Sequence, residues 1–364
     1  MGLAILTSSR ADFGYYIPLL NLFKNKINYD LVVFGTHLSK KHGFTKNYII
    51  ESGYKIKHEV NVDIIGDSSS DISKIIGNTF LKFADFWGKT NYDMILCIGD
   101  RYEMFAAVSA SLPFNIKIGH ISGGEETFGA IDNIYRHSLT LMSFIHFTNT
   151  KLNSDRVSQI IGSSKNIFHT GSLGIDNIVQ TKLYTSQDFK ELFNFNIDSP
   201  FLLFTFHPET VNYKSTQIHV DTIRDLLSEI DQTVLVTMPN ADTSSSLVRN
   251  ALHEASKVND KIFLLESLGS RGYYTALDKC DFVFGNSSSG IIEAASFSKY
   301  VINIGERQLG REYGNNIIHC KIDKKEIIAV MKNIKKMPKL DGKNIYGCGN
   351  ARSKIFKELK KFIT

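Results

Sequence analysis

Acidic side chains follow short apolar runs of the chain at positions where they could transfer protons. The run Met94–Ile98 is followed by Asp100, and the next apolar run is followed by two glycines and Glu125. Asp132 comes seven residues after Glu125, near the start of a helical pattern. Carboxylates that lie close together and are partly buried have raised pKa values, as proton-transfer groups require. Asp100, Glu125 and Asp132 are therefore candidate acid/base residues.

A purely structural interpretation of these carboxylates also fits the sequence. Asp100 could do no more than cap a helix over residues 101–112, because aspartate is a favoured N-cap residue. Glu125 and Asp132 could cap the next helix and pair with Arg136, which lies one turn beyond Asp132.

A histidine and two arginines also follow apolar runs. His207 follows the run 201–206, and Pro208 restricts the backbone directly after it. Arg10 and Arg101 follow two runs of the first half, where a guanidinium could bind a phosphate through several donors. The alternatives are a structural histidine and, for Arg10, a surface ion pair with Asp12.

The segment 282–293 reads as a strand that leads through Gly-Asn-Ser-Ser-Ser-Gly into a helix. Free backbone N–H groups and the helix dipole favour an anion at such a helix start, and small side chains let a diphosphate approach. The hydroxyls of Ser287 and Ser288 add donors, and Glu293 could reach ribose hydroxyls if the ligand is a nucleotide. The alternative is an ordinary strand-to-helix corner with serine caps.

Short strands alternate with helical segments through most of the chain, which predicts an α/β fold with doubly wound parallel sheets. The pattern weakens between residues 175 and 200, where we place a domain boundary, and the amphipathic segment Ala351–Ile363 could return to the first domain. Ligands of such sheets bind at the carboxyl ends of strands. The predicted strands are 3–7, 30–35, 94–98, 116–121, 144–148, 167–170, 201–206, 233–238, 262–265, 282–284 and 300–304. The predicted helices are 13–26, 71–89, 217–230, 246–258 and 351–363.

Composition and missing motifs exclude several classes of function. A chain of 364 residues with a net charge of +5 and no dense basic run lacks the signature of a nucleic-acid-binding protein. No apolar stretch is long enough to span a membrane, and the start of the chain does not resemble a signal peptide, so we expect a cytoplasmic protein. The four cysteines are far apart, and no metal-ligand spacing occurs. Neither GxGxxG nor GxxxxGK[ST] is present, which argues against a Rossmann dehydrogenase or a P-loop enzyme.

Seven motifs, taken together and in order, resemble the UDP-N-acetylglucosamine 2-epimerase family and specifically its hydrolysing branch. They extend from Arg10 to Arg307 and so cover most of the chain. The motifs are Ser9-Arg10-Ala11-Asp12, Gly99-Asp100-Arg101, Gly123-Gly124-Glu125, residues 131–137, His207-Pro208-Glu209-Thr210, residues 285–293 and Gly305-Glu306-Arg307-Gln308.

The resemblance implies a glycosyltransferase-B-like fold, in which two Rossmann-like doubly wound domains enclose an interdomain cleft. The expected domains are residues 1–185 with the acid/base groups, residues 186–345 with the UDP site, and a C-terminal helix within 346–364 that packs on the first domain. Relatives are often dimers or tetramers, so a homodimer or homotetramer is expected. The family needs no metal or other cofactor, and no nucleic acid or membrane partner is implied.

The resemblance also implies a reaction. Hydrolysing members convert UDP-N-acetylglucosamine to N-acetylmannosamine plus UDP through a 2-acetamidoglucal, for sialic acid biosynthesis. Others perform the same reaction on UDP-2,4-diacetamido-2,4,6-trideoxyglucose for legionaminic acid. A UDP-sugar glycosyltransferase of the same fold is the more distant alternative.

By motif match, the family pattern assigns a role to each candidate residue. The acid/base groups are Asp100, Glu125 and Asp132, and His207 serves the leaving group. The predicted substrate and UDP contacts are Arg10, Arg101, Asn240, Ser287, Ser288, Glu293 and Arg307. Ser122 is a departure, because many relatives carry a catalytic acid at that position, and its absence argues against simple reversible epimerisation. It leaves open whether Glu125 or Asp132 takes over that proton transfer.

Overall fold

The computed structural model describes residues 2–209, 216–239 and 244–363. Parallel strands alternate with helices throughout these residues, which confirms the predicted α/β class. The chain separates into two compact units. The N-terminal unit comprises Met1–Glu125, Ile131–Val179 and Tyr346–Thr364, and the C-terminal unit comprises Glu126–Ala130 and Gln180–Ile345.

The elements follow one another in the order that the alternation predicts. The strands are β1 (Leu3–Thr7), β2 (Asp30–Phe34), β3 (Ile56–Val60), β4 (Met94–Ile98), β5 (Lys117–Ile121), β6 (Ile145–Thr148), β7 (Ile167–His169), β8 (Leu202–Thr205), β9 (Val234–Thr237), β10 (Ile262–Leu265), β11 (Val283–Gly285), β12 (Val301–Ile304) and β13 (Ile317–Cys320). The α-helices are α1 (Arg10–Phe23), α2 (Lys46–Glu51), α3 (Ser69–Gly88), α4 (Tyr102–Ser109), α5 (Asp132–Met142), α6 (Lys151–Ile161), α7 (Leu173–Gln180), α8 (Ser186–Phe193), α9 (Thr216–Glu229), α10 (Ser245–Val258), α11 (Gly269–Lys279), α12 (Ser288–Ile292), α13 (Lys324–Ile334) and α14 (Ala351–Ile363).

Each unit contains one parallel sheet, and the two sheets share a topology. The strand order is β3-β2-β1-β4-β5-β6-β7 in the N-terminal unit and β10-β9-β8-β11-β12-β13 in the C-terminal unit. The order reverses between β1 and β4 in the first sheet and between β8 and β11 in the second. Such a reversal opens a crevice at the carboxyl ends of the two strands, where ligands of doubly wound folds bind. Each crevice is flanked by two of the polar motifs.

The central strands form because they are apolar on both faces, as strands covered by helices on both sides must be. All five residues of β1 and of β4 are buried. Two edge strands, β3 and β13, were not predicted. In β3 the lysine and the glutamate face solvent, and only its last residue is fully buried. An edge strand of this kind has no apolar run to reveal it.

Helix α14 belongs to the N-terminal unit although it lies at the far end of the sequence. Ile355 and Leu359 are fully buried in the core cluster that also contains Phe23 of α1. The carboxylate of Asp176 accepts hydrogen bonds from the backbone N–H groups of Ala351 at 2.8 Å and Arg352 at 3.1 Å. This carboxylate satisfies two of the donors that a helix start leaves without partners.

Within residues 2–209, 216–239 and 244–363, no helix combines the length and the apolarity that crossing a bilayer requires.

Candidate active site

A buried arginine connects the carboxylate motifs of the N-terminal unit. Arg136, on the second turn of α5, is only 1% exposed and forms an ion pair with Asp100, which follows β4. The same guanidinium donates to the backbone carbonyl of Glu125 at 2.9 Å and to Asn133 Oδ1 at 3.1 Å. A planar guanidinium can hold several acceptors at fixed angles. Arg136 therefore brings Asp100 and the Glu125 segment to one place.

Glu125 is buried and is held by a neutral amide as well. Its Oε1 accepts a hydrogen bond of 2.6 Å from Asn149 Nδ2, directly after β6. Asn149 also exchanges hydrogen bonds with the Ser122 hydroxyl, at 3.2 and 3.3 Å. Ser122 has φ +65°, a left-handed conformation that is uncommon outside glycine. Ser122, which departs from the family pattern, thus forms hydrogen bonds with the amide that donates to Glu125.

The third carboxylate, Asp132, is the first residue of α5, so its charge lies at the favourable end of the helix dipole. The preceding residue Ile131 is the N-cap and makes no side-chain cap bond. Asp100 is not an N-cap either, because α4 begins after Arg101. For Asp100, the ion pair with Arg136 replaces the capping role that the structural interpretation gave it.

His120 is a neutral side chain that connects the end of β4 to α5. Its Nε2 lies 2.8 Å from the Gly99 carbonyl, which can only accept, so Nε2 carries the proton and Nδ1 accepts from the Thr140 hydroxyl at 3.3 Å. Burial lowers the pKa of His120 to about 3. Of the two glycines that follow, Gly124 has no room for a side chain, because a Cβ there would lie 2.4 Å from the Asn153 carbonyl oxygen.

The loop after β1 is built around Asp12 rather than around Arg10. The Asp12 carboxylate accepts from the N–H groups of Ser8 and Ser9 and from the Ser8 hydroxyl at 2.6 Å. Burial raises the pKa of Asp12, and nearby Arg101 opposes that rise. Arg10 is the first residue of α1, and Ser9 is its N-cap.

Arg101 forms an ion pair with Glu103, which also belongs to the charged residues that follow β4. Its Nε and Nη2 donate to both carboxylate oxygens of Glu103, at 3.2 and 3.0 Å, and Glu103 is fully buried. Burial raises the pKa of Glu103, whereas the guanidinium of Arg101 favours its ionised form. A substrate contact of Arg101, which stays a prediction, would have to coexist with this ion pair.

In the C-terminal unit, His207 lies at the reversal point of the sheet and is buried. Its backbone N–H donates to Asn286 Oδ1 at 2.7 Å, and its carbonyl accepts from Asn286 Nδ2 at 2.8 Å. Asn286 follows β11, the neighbour of β8. The strands approach closely because residue 285 is glycine, since a Cβ there would lie 2.0 Å from the Thr205 carbonyl oxygen.

The loop after β12 is tied to the His207 loop by two contacts. Buried Glu209 accepts at Oε1 from the Glu306 N–H at 2.6 Å, and the Arg307 guanidinium donates to the Pro208 carbonyl at 2.9 Å. The motifs His-Pro-Glu and Gly-Glu-Arg-Gln therefore form one polar surface at the carboxyl edge of the sheet.

The serine loop leads into α12 as predicted, and Glu293 is its C-cap residue. The Ser287 hydroxyl, at the N-cap, accepts from the Ser289 N–H. Buried Glu293 accepts hydrogen bonds from the Ser289 hydroxyl at 2.5 Å and the Tyr274 hydroxyl at 3.3 Å. Burial raises the pKa of Glu293 from 4.5 to about 7, although both hydroxyls favour the ionised form.

The raised pKa of Glu293 makes folding stability depend on pH. A carboxyl that binds its proton more tightly in the folded state contributes stability that is complete below pH 4.5 and is lost as pH rises through about 7. We expect Glu293→Gln, which cannot ionise, to be more stable than the wild type at pH 8 by roughly 3 kcal/mol, with little difference at pH 4.5. Urea unfolding at several pH values measures this difference.

Glu254→Gln is a matched control for this measurement, because Glu254 is an exposed carboxylate of the same unit. It should leave the pH dependence of the wild type intact. A Glu293→Gln variant whose stability follows the wild-type pH curve throughout would contradict the assignment.

The structure joins four of the predicted site residues in two groups, one in each unit. Asp100 and Glu125 meet at Arg136, and His207 and Arg307 lie on the joined loops of the C-terminal sheet. Asn240 lies outside the described residues. Sequence reasoning missed three polar residues that hold these groups in place. They are Asn149, Glu103 and Asn286.

A polar residue directly after a buried strand was the available signal for two of these three. Asn149 directly follows β6 and Asn286 directly follows β11, whereas Asp100 and His207 each lie one residue further from the end of a strand. Glu103 lies in the first turn of α4, and its position after β4 did not reveal that Arg101 is its partner.

The chain is similar to known proteins along most of its length. Residues 22–360 match the family model described as UDP-N-acetylglucosamine 2-epimerase. The chain is 30% identical over 357 residues to the UDP-N,N'-diacetylbacillosamine 2-epimerase (hydrolyzing) of Legionella pneumophila, covering 98% of this chain and 94% of that protein. It is 32% identical over 325 residues to the GDP/UDP-N,N'-diacetylbacillosamine 2-epimerase (hydrolyzing) of Campylobacter jejuni, and this match covers 88% of this chain and 84% of that protein.

Among solved structures, the fold is similar to that of UDP-GlcNAc 2-epimerase from Neisseria meningitidis bound to UDP-GlcNAc. The TM-score is 0.80 at 18% identity, and the match covers 99% of this chain and 100% of that chain. This likeness confirms the predicted glycosyltransferase-B-like fold with two Rossmann-like halves.

Proposed function

Because the chain belongs to the UDP-N-acetylglucosamine 2-epimerase family, we propose that it is a hydrolysing 2-epimerase, which releases UDP and the free 2-epimeric sugar from a UDP-2-acetamido sugar. The cluster in which Arg136 holds Asp100 and the Glu125 segment carries the proposal. Carboxylates fixed by a buried cation at the carboxyl edge of a sheet suit proton transfer to and from carbon. The names of the two relatives support the hydrolysing form of the reaction.

The proposed chemistry has two stages. A base removes the C2 proton of the sugar while the C1–O bond to UDP breaks, which gives UDP and a 2-acetamidoglucal. Water then adds at C1, and an acid delivers a proton to the opposite face of C2. We propose Asp100, Glu125 and Asp132 as the proton-transfer groups, because each stage needs a proton acceptor or donor at carbon.

The departing diphosphate needs hydrogen-bond donors and positive charge, since negative charge accumulates on it as the C1–O bond breaks. We propose His207 for this role, with Arg10, Arg101 and Arg307 as further cationic contacts. For the nucleotide we propose the hydroxyls of Ser287 and Ser288, the Glu293 carboxylate for the ribose, and Asn240. These assignments rest on the motif match.

UDP-N,N'-diacetylbacillosamine, the 2,4-diacetamido-2,4,6-trideoxyglucose derivative, is our first candidate for the substrate. Two relatives at 30% and 32% identity carry the name of this sugar. UDP-N-acetylglucosamine, with N-acetylmannosamine as the product, is the second candidate, and the description of the matching family model supports it. The two substrates differ only in the groups at C4 and C6.

Parallel incubations test the function and the substrate together. The purified chain is given either nucleotide sugar alone in D₂O, UDP is measured by a coupled assay, and the sugar product is identified by NMR. We expect UDP release with deuterium at C2 of a free sugar of inverted C2 configuration, and the larger kcat/KM identifies the substrate.

Two outcomes would defeat the proposal. Interconversion of UDP-sugars without UDP release would indicate a non-hydrolysing epimerase. Turnover only after an acceptor is added would indicate a glycosyltransferase.

A further inference from the structure

The amide of Asn286 binds both sides of one residue. Its Oδ1 accepts from the backbone N–H of His207, and its Nδ2 donates to the carbonyl of the same residue, at 2.7 and 2.8 Å. Asn286 is fully buried. The two bonds restrain both peptide groups that flank the His207 Cα, and these determine the direction of the Cα–Cβ bond.

Asn286 is itself restrained by its neighbours. Its N–H donates to the Thr205 carbonyl at 3.0 Å, and its carbonyl accepts from Gln308 Nε2 at 2.8 Å. Gln308 Oε1 in turn accepts from Arg311 Nε at 3.0 Å, and both of these side chains are buried. A chain of hydrogen bonds thus runs from a buried guanidinium to the backbone of His207.

Asparagine suits this position for a chemical reason. Only a carboxamide of this length offers one acceptor and one donor at the spacing of a residue's N–H and C=O groups. An aspartate would face the His207 carbonyl with a second acceptor, and a serine would be too short to reach both groups. The residue type therefore matches the task of fixing a neighbouring backbone.

We propose that Asn286 is a positioning residue that aims the His207 imidazole at the leaving group. This inference rests on the proposed function, because it presumes that His207 acts on the departing diphosphate. Asn286 itself does not touch the reacting atoms. Its effect passes through the backbone of His207, since a displacement of about 1 Å at a reacting group can cost about 10²-fold in rate.

The first test compares Asn286→Ala with Asn316→Ala in the UDP-release assay. Asn316 is a matched control, a buried amide of the same unit that donates to the Lys299 carbonyl at 3.1 Å. We expect Asn286→Ala to lower kcat by about 10²-fold with little change in KM, and Asn316→Ala to keep the wild-type kcat. Equal losses in the two variants would overturn the inference.

A double-mutant cycle separates positioning from general loosening of the fold. If Asn286 acts through the imidazole, adding Asn286→Ala to His207→Ala should lower kcat by less than about twofold more. A full additional loss in the His207→Ala background would overturn the inference. Asn286→Asp, which keeps the shape and one acceptor, replaces Asn286→Ala in the cycle if the alanine variant does not fold.

A spectroscopic measurement decides the inference without turnover. In protein with ¹³C-labelled histidine, the Cε1–H resonance of His207 is assigned through its loss in His207→Asn. We expect this resonance to shift or broaden in Asn286→Ala and Asn286→Asp and to stay in place in Asn316→Ala. A wild type that releases no UDP would defeat the proposed function, whereas an unmoved His207 resonance would defeat this inference.

Discussion

Replacement of Glu125 by glutamine is expected to lower kcat for UDP release by about 10²- to 10⁴-fold and to leave UDP affinity nearly unchanged. Glutamine keeps the shape of the side chain, and its carbonyl oxygen can still accept the hydrogen bond that Asn149 Nδ2 gives at 2.6 Å. What is lost is the ability to exchange a proton. Steady-state kinetics and calorimetric titration with UDP measure the two quantities.

Asp30→Asn is the control for the Glu125 experiment. Asp30 lies on β2 of the same unit, and its carboxylate accepts a hydrogen bond of 2.8 Å from the Tyr92 hydroxyl. It is not among the site residues. The control should retain wild-type kcat. A Glu125→Gln enzyme with unimpaired turnover would remove Glu125 from the proton-transfer groups and leave that role to Asp100 and Asp132.

Loss of Arg136 should affect stability and turnover together. Arg136→Met leaves Asp100 without its cation and the Glu125 carbonyl without a donor, and we expect a loss of about 3 kcal/mol in the free energy of unfolding. Arg136→Lys keeps the charge but cannot donate in three fixed directions. We expect Arg136→Lys to recover much of the stability and little of the turnover. Urea unfolding and UDP release measure the two effects.

Arg224→Met is the control for Arg136. Arg224 also binds carboxylates through two nitrogens, those of Asp221 and Asp225, but its side chain is 34% exposed and it is not among the candidate site residues. Its replacement should cost about 1 kcal/mol or less and keep kcat. Full activity in Arg136→Lys would show that the geometry of the guanidinium is unimportant, contrary to our interpretation of the cluster.

The sequence was informative wherever a buried strand ends in polar residues. Both reversal points of the sheets lie between strands whose following residues had been singled out, Arg10 with Asp100 in one unit and His207 with Ser287 in the other. The reason is general, because helix-covered parallel strands are apolar throughout and their carboxyl ends gather at one edge. The division into residues 1–185, 186–345 and 346–364 stays a prediction, as do the assigned roles of the site residues.

The partners of individual side chains could not be predicted from the sequence. The ion pair of Arg101 with Glu103 and the two hydrogen bonds of Asn286 to His207 depend on side-chain directions that residue type does not specify. The edge strands β3 and β13 escaped detection for a different reason, since both are only partly buried and contain a polar or charged residue among the apolar ones. Such strands are defined by the neighbour with which they pair.

The position of α14 has a consequence for biosynthesis. The N-terminal unit is completed by residues 346–364, whose Ile355 and Leu359 fill its core and whose first turn is held by Asp176. The residues that complete the core beside Phe23 are therefore translated only after the whole C-terminal unit. Domains usually fold in the order in which the ribosome makes them. Here the half that is begun first is the half that is finished last.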